Sequence, residues 1–97
     1  MPTVMAMHWP EVSKAQYEQV REVVQWDRDV PPGGRVHVAW LGDDGFHVID
    51  VWDSAEQFQA FVTTRLMPGV QQVGVEGQPT VEMHEVIGVS VPEAYKA

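Results

Sequence analysis

Residues 35–52 read RVHVAWLGDDGFHVIDVW, two apolar runs joined by a turn. Arg35 to Leu41 and Gly45 to Trp52 have the composition of strands. Gly42-Asp43-Asp44-Gly45 between them has the residues of a tight hairpin. Taking Asp43-Asp44 as a two-residue turn sets the register. Leu41 then faces Phe46, Ala39 faces Val48 and His37 faces Asp50 on one side of the sheet. Trp40 faces His47, Val38 faces Ile49 and Val36 faces Val51 on the other. Both sides are largely apolar. A bulged turn would exchange the pairs and leave both sides apolar.

Working outward, the hairpin is flanked on each side by a helix and then a strand. Upstream, Val30-Pro31-Pro32-Gly33-Gly34 cannot continue a helix and forms a loop. Before it, Ser13 has the character of an N-cap, with Gln16 at capping-box spacing and Val12 and Tyr17 placed for a hydrophobic staple. Tyr17, Val20, Val23 and Val24 follow at helical spacing, with Glu18, Gln19, Arg21 and Glu22 on the outer side, so a helix is expected over about 13–26. Thr3 to His8 precedes it as a strand. Downstream, Ser54 is a second N-cap, with Gln57 three residues on. Phe58, Phe61, Val62 and Leu66 give an apolar stripe. Pro68 and Gly69 either end this helix near Met67 or kink it, letting it run on to Val73 before a Gly74 cap. Thr80 to Val86 is the last strand, and residues 87–97 form a tail broken by Gly88 and Pro92.

The order β-α-β-β-α-β in one small domain, residues 1–97, leaves few right-handed arrangements. The expected one is an α+β ferredoxin-like plait: a four-stranded antiparallel sheet in the order 4-1-3-2, with both helices on one face. Two helices cover one face only. The other face, several hundred Å² of apolar surface, is more than a soluble monomer usually exposes. A second copy of the chain, packed sheet against sheet as a homodimer, is the simplest cover.

Composition narrows the function classes. Fourteen Asp+Glu against six Lys+Arg give a net charge of −8, which argues against nucleic acid or an anionic membrane as partner. The absence of cysteine excludes a disulfide scaffold, a thiolate zinc site and a Cys nucleophile. No apolar run is long enough for a membrane span, and no signal peptide is apparent, so a cytoplasmic location is expected. Phosphate loops and serine nucleophile elbows are absent.

The segment Phe46-His47-Val48-Ile49-Asp50-Val51-Trp52-Asp53-Ser54-Ala55-Glu56-Gln57-Phe58-Gln59-Ala60-Phe61, continuing to Arg65-Leu66-Met67-Pro68, resembles the strand 3–helix 2 unit of the dimeric α/β-barrel superfamily. The shared features are Val-Trp-x-Ser at the junction and Phe-x-x-Phe one turn later. The nearest branch is the antibiotic-biosynthesis-monooxygenase-like group, and the resemblance covers nearly the whole chain. It implies a homodimeric barrel. It also implies a range of chemistries, from cofactor-independent oxygenation to isomerisation and haem degradation. Where the haem-degrading branch carries Trp, His and Asn, this chain has Phe61 and, nearby, Gln71 and His8, so haem is not carried over. The quinone-forming oxygenases use Asn, Trp, Tyr and Arg around a pocket. Trp26, Trp40, Trp52, Arg65 and Tyr17 are the residues here that could contribute to such a pocket.

His37 and Asp50 are the leading catalytic candidates, because a carboxylate opposite an imidazole orients the ring as a general base requires. A polar pair at an interface or core edge is the structural alternative. Trp40, Trp52, Phe61, Arg65 and Tyr17 are the candidate substrate contacts, and the aromatics among them could equally be core. His8 and His84 could meet on neighbouring strands, with Glu82 and Glu85 near in sequence. No reliable third ligand is apparent, and no metal site is assigned. Met5, Met7, Met67 and Met83 suit either an adaptable pocket or ordinary core. Glu76, Glu82, Glu85 and Glu93 suit a solvated face. The expected function is a small enzyme acting on a planar organic molecule, without a tightly bound cofactor, by acid–base chemistry or direct oxygenation. The alternative is a non-catalytic small-molecule-binding or dimerisation module.

Overall fold

The computed structural model describes residues 2–90; Pro92, Glu93 and the end of the predicted tail lie outside the described residues. The elements are β1 (Thr3–Trp9), α1 (Lys14–Val24), β2 (Gly34–Gly42), β3 (Gly45–Trp52), α2 (Ala55–Phe61), a π-helical turn (Val62–Leu66), α3 (Met67–Val73) and β4 (Thr80–Glu85). The sheet order is β2-β3-β1-β4, antiparallel throughout. This is the expected ferredoxin-like plait.

Local chemistry explains the helix limits. The Ser13 hydroxyl accepts from the Gln16 amide at 3.1 Å, while the Gln16 side chain accepts from the Ser13 amide at 3.0 Å, which closes a full capping box. At the other end Gln25 takes a left-handed conformation, φ 58°, and stops α1. Trp26 therefore lies past the helix rather than in it. The Ser54 hydroxyl likewise accepts from the Gln57 amide at 3.2 Å and starts α2.

Of the two outcomes open at Pro68, the chain takes the continuous one. The backbone widens into a π-turn, so that the Met67 amide donates to Val62 rather than to a carbonyl four residues back. Pro68 then sits in the first turn of α3, where a missing N–H costs little. Threonine hydroxyls take up carbonyls of the preceding turn: Thr64 Oγ1 donates to Ala60 O at 2.6 Å and Thr63 Oγ1 to Gln59 O at 3.2 Å. Gly74, φ 82°, ends α3.

The hairpin register is the one read from the sequence, from Val36 opposite Val51 to Leu41 opposite Phe46, with His37 opposite Asp50 and Trp40 opposite His47. An irregularity between Gly34 and Val36 sets Arg35 aside, and its guanidinium grips Asp53 through two bonds of 2.8 and 2.7 Å. The positive φ of the turn falls on Gly45, at 114°.

Alternation partitions the sheet. Thr3, Met5, Met7 and Trp9 of β1 and Phe46, Val48, Asp50 and Trp52 of β3 are buried beneath the helices, with Val12, Val24, Phe58, Phe61 and Val70 opposite them. The other face presents Val4, Ala6 and His8; Val36, Val38 and Trp40; and His47, Ile49 and Val51. Val38 is 51% and Trp40 44% exposed there. On β4 the same face turns polar, with Thr80, Glu82 and His84.

Candidate functional site

A cavity of about 80 Å³ lies between the helix layer and the sheet. Met5, Met7, Phe46 and Val48 line its floor, and Val20, Val24 and Phe58 its roof. Into this apolar space four polar side chains converge: Tyr17, Arg21, His37 and Asp50.

Three of the four form a hydrogen-bonded chain. His37 Nδ1 lies 2.7 Å from Asp50 Oδ1, and His37 Nε2 lies 2.8 Å from the Tyr17 hydroxyl. The second Asp50 oxygen accepts from Trp52 Nε1 at 3.3 Å. A carboxylate only accepts, so the Asp50 contact places the imidazole hydrogen on Nδ1 and leaves Nε2 as the acceptor of the Tyr17 hydroxyl. Asp50 is 3% exposed, and its lone pairs are met by an imidazole and an indole. No buried side-chain polar atom among the described residues lacks a partner.

Sheet and helix each supply half of this arrangement. Cross-strand pairing puts Asp50 directly beside His37. Tyr17 stands one turn into α1, at the position fixed by the Ser13 cap. Its ring packs against Phe46, with centroids 4.9 Å apart, and Trp26 lies 5.2 Å from the His37 ring. Burial raises the Tyr17 pKa above its ordinary value. The nearby Arg21 guanidinium opposes this, and the Asp27 and Asp50 carboxylates add to it. The hydroxyl thus keeps its proton through the neutral range.

The structure divides the remaining candidates. Phe61 lines the cavity. Trp52 is wholly buried, at 0% exposure; it lies behind Asp50 and is placed to hold that carboxylate rather than to touch a ligand. Trp40 is on the opposite face of the sheet, its ring stacked on His47 at 4.9 Å, because the alternation that turns His37 inward turns Trp40 outward. Arg65 does not line the cavity, although its guanidinium lies 5.8 Å from the Phe61 ring. Its Nη2 donates to Val24 O and Asp29 O, both at 2.6 Å, satisfying carbonyls at and beyond the end of α1. Arg21, read from the sequence as outward, reaches the cavity rim and also bonds Asp27 at 3.1 Å. Of the methionines, Met5 and Met7 line the cavity, while Met67 is 40% exposed.

His8 and His84 do not meet: His84 pairs with Val4, and His8 pairs with Thr80. On its other side His8 lies opposite His47. The two rings stack at 4.5 Å, tilted by 9°.

No protein-family model matches the chain, and no curated protein matches it by sequence. Its likeness to solved structures is extensive. A dimeric ferredoxin-like protein of unknown function from Thermobifida fusca superposes with a TM-score of 0.65 at 13% identity, covering 89% of this chain and 92% of that one. SnoaB, a cofactor-independent oxygenase from Streptomyces nogalater, gives 0.64 at 16% identity, covering 95% and 97%. An antibiotic biosynthesis monooxygenase gives 0.61 at 16% identity, covering 91% and 100%. The chain therefore has the ferredoxin-like fold of the antibiotic-biosynthesis-monooxygenase-like proteins, as the Val-Trp-Asp-Ser junction implied. Identities this low carry the fold and not the chemistry. Among the described residues, no helix is long and apolar enough to cross a membrane.

Proposed function

We propose that this protein is a small acid–base enzyme that removes a proton from an organic molecule held between its helices and sheet. The observation that carries the proposal is the Tyr17–His37–Asp50 chain opening into an apolar cavity. An acidic hydroxyl or C–H of a ligand would reach Tyr17, whose oxygen can accept one proton while passing its own to His37 Nε2. Asp50 would then face the imidazolium through Nδ1–H. The apolar walls exclude water and suit an unsaturated ring, with Phe61 as a stacking surface. No tightly bound cofactor enters this step. An electron-rich carbanion or phenolate left by the proton transfer is also what direct reaction with oxygen would require, which accommodates the oxygenase activity named for SnoaB.

The size of the cavity bears on the ligand. About 80 Å³ is well short of the roughly 150 Å³ that holds benzene in an engineered protein cavity. A planar ligand thus requires the helix layer, which lines the cavity with the half-buried Tyr17 and Leu66, to yield. The working form is a homodimer in which the bare sheet face of each copy covers that of the other. The apolar pairs Val38–Ile49 and Val36–Val51 support this reading.

The test is exchange of hydrogen for deuterium at the acidic C–H of small enolisable ketones and phenols, followed by NMR, with oxygen uptake measured in parallel. The expected result is exchange by the native chain that falls about 100-fold in H37Q. Saturable ligand binding with no exchange in any member of the series would overturn the catalytic reading and leave a binding module.

A further inference from the structure

We propose that His8, His47 and Asp44 form a binding site for one divalent transition-metal cation of the zinc or copper class, at the hairpin end of the sheet. The site is at the hairpin end of the face opposite His37, the face the proposed dimer covers, with Asp44 in the turn beyond the strands; it does not rest on the proton-transfer reading.

The three side chains arrive from separate elements. His8 is on β1, His47 is directly opposite it on β3, and Asp44 is in the turn between β2 and β3. Both imidazoles aim Nε2 at Asp44. His47 Nε2 lies 2.7 Å from Asp44 Oδ1; His8 Nε2 lies 2.7 Å from the Asp44 carbonyl and 3.8 Å from its Oδ2. One ligand atom from each residue falls within 4.8 Å of the other two. A tetrahedral ion with bonds of about 2.0 Å sets its ligand atoms about 3.3 Å apart, so closing the site takes shifts of about 1 Å. Asp44 can supply them, since its side chain is 64% exposed in a turn.

The imidazoles are held for this task. Trp40, His47 and His8 form one continuous stack across β2, β3 and β1, with centroid spacings of 4.9 and 4.5 Å and planes within 9° of parallel. The stack fixes the planes of both histidines before any ion arrives, which lowers the ordering cost of binding. Two imidazole nitrogens and one carboxylate are donors that suit zinc, copper or nickel better than calcium or magnesium. Three protein ligands leave a fourth position for water or another group. A chain of net charge −8 also concentrates cations near its surface. Binding requires each Nε2 to shed its hydrogen to Nδ1, a tautomer change open to neutral imidazole.

The experiment is calorimetric titration of the untagged chain with Zn²⁺, repeated with Cu²⁺, Mg²⁺ and Ca²⁺. The expected result is one saturable site per chain for Zn²⁺, tighter for Cu²⁺, with no site for Mg²⁺ or Ca²⁺. H8Q and H47Q should each weaken Zn²⁺ binding at least about tenfold, and D44N by a smaller factor. H84Q, which alters the Glu82-paired imidazole elsewhere on the same face, should leave it unchanged. Imidazole ¹⁵N spectra should show zinc shifting Nε2 of His8 and His47 but not of His37, with circular dichroism confirming that each variant is folded. Absence of saturable Zn²⁺ binding up to about 1 mM, or affinity unchanged in H8Q and H47Q, would overturn the site.

Discussion

Replacing Asp50 by Asn changes one atom and tests the proton chain most directly. The amide keeps the volume of the carboxylate, so no cavity opens. It does change what the two neighbours meet. Asp50 now accepts from His37 Nδ1 at 2.7 Å and from Trp52 Nε1 at 3.3 Å. If the amide oxygen kept the His37 contact, the amide nitrogen would confront the indole N–H, leaving buried donors face to face at about 1–3 kcal/mol each. The cheaper solution turns the oxygen to Trp52 and the nitrogen to His37. The imidazole must then move its hydrogen to Nε2, and the Tyr17 oxygen must accept rather than donate. Every bond is kept, but two charge-assisted bonds become neutral. That costs about 1 kcal/mol each, offset in part by no longer burying a carboxylate. The net expectation is a loss of about 1–2 kcal/mol in urea unfolding, a fall in Tm of about 5–10 °C for a chain this size. Exchange catalysis should drop at least about 100-fold, because Nε2 can no longer take the Tyr17 proton. The ¹⁵N spectrum of His37 decides the matter. A hydrogen still on Nδ1 in D50N, with catalysis retained, would refute the proton chain.

Other perturbations probe separate parts of the molecule. Ile49→Asp places a charge on the bare face, beside Val38; burying it against a second copy costs about 3 kcal/mol, so light scattering should show a dimer loosened more than 100-fold, and a native chain already monomeric at micromolar concentration would remove the basis for the dimer. Because burial raises the Tyr17 pKa, the folded chain holds that proton more firmly than the unfolded one. Its contribution to stability is complete below about pH 10 and is lost as pH rises through the folded value, so urea midpoints should fall steeply there and Tyr17→Phe should flatten the fall. Gly45→Ala combines φ 114° with a methyl placed 2.6 Å from Pro10 Cα; it should cost about 2 kcal/mol or more by thermal unfolding, whereas a neutral result would show the turn to be more pliable than described.

The parts of the fold legible in the sequence were those governed by short-range rules. Gly42 and Gly45 around a two-residue turn were enough to fix the hairpin register, and with it the His37–Asp50 and Trp40–His47 pairs. Ser13 and Ser54 marked both helix starts. What escaped depended on distances that sequence spacing does not encode. Tyr17 was legible as a residue facing the sheet, but its meeting with His37 depends on how α1 lies over β2. Arg65 has the charge of a substrate contact, yet its reach to the end of α1 commits it to Val24 and Asp29 carbonyls. His8 was set against the wrong neighbour. Its partner on β3 is fixed by the β1–β3 register, in which a central strand must satisfy two neighbours at once, and no turn signal between β1 and β3 announces that alignment.

A single register thus sorts the chemistry of the whole chain. Along β2 and β3, odd-numbered positions of one strand pair with even-numbered positions of the other, so each histidine goes to a face together with its partner. His37 goes inward with Asp50, where Tyr17 and the helix layer close over it and water is scarce. His47 goes outward with Trp40, where His8 and Asp44 gather at the hairpin end. An imidazole tied to a buried carboxylate suits the passing of a proton. A pair of imidazoles stacked at a sheet end, with lone pairs that can be freed by a tautomer change, suits the holding of a cation. Slipping the hairpin by one residue would put His37 and His47 on the same face, parting His37 from Asp50 and His47 from Trp40. Both pairings would be lost in the same step. The tight turn at Asp43-Asp44 therefore carries more than the fold: it is the feature on which the inner and outer sites jointly depend.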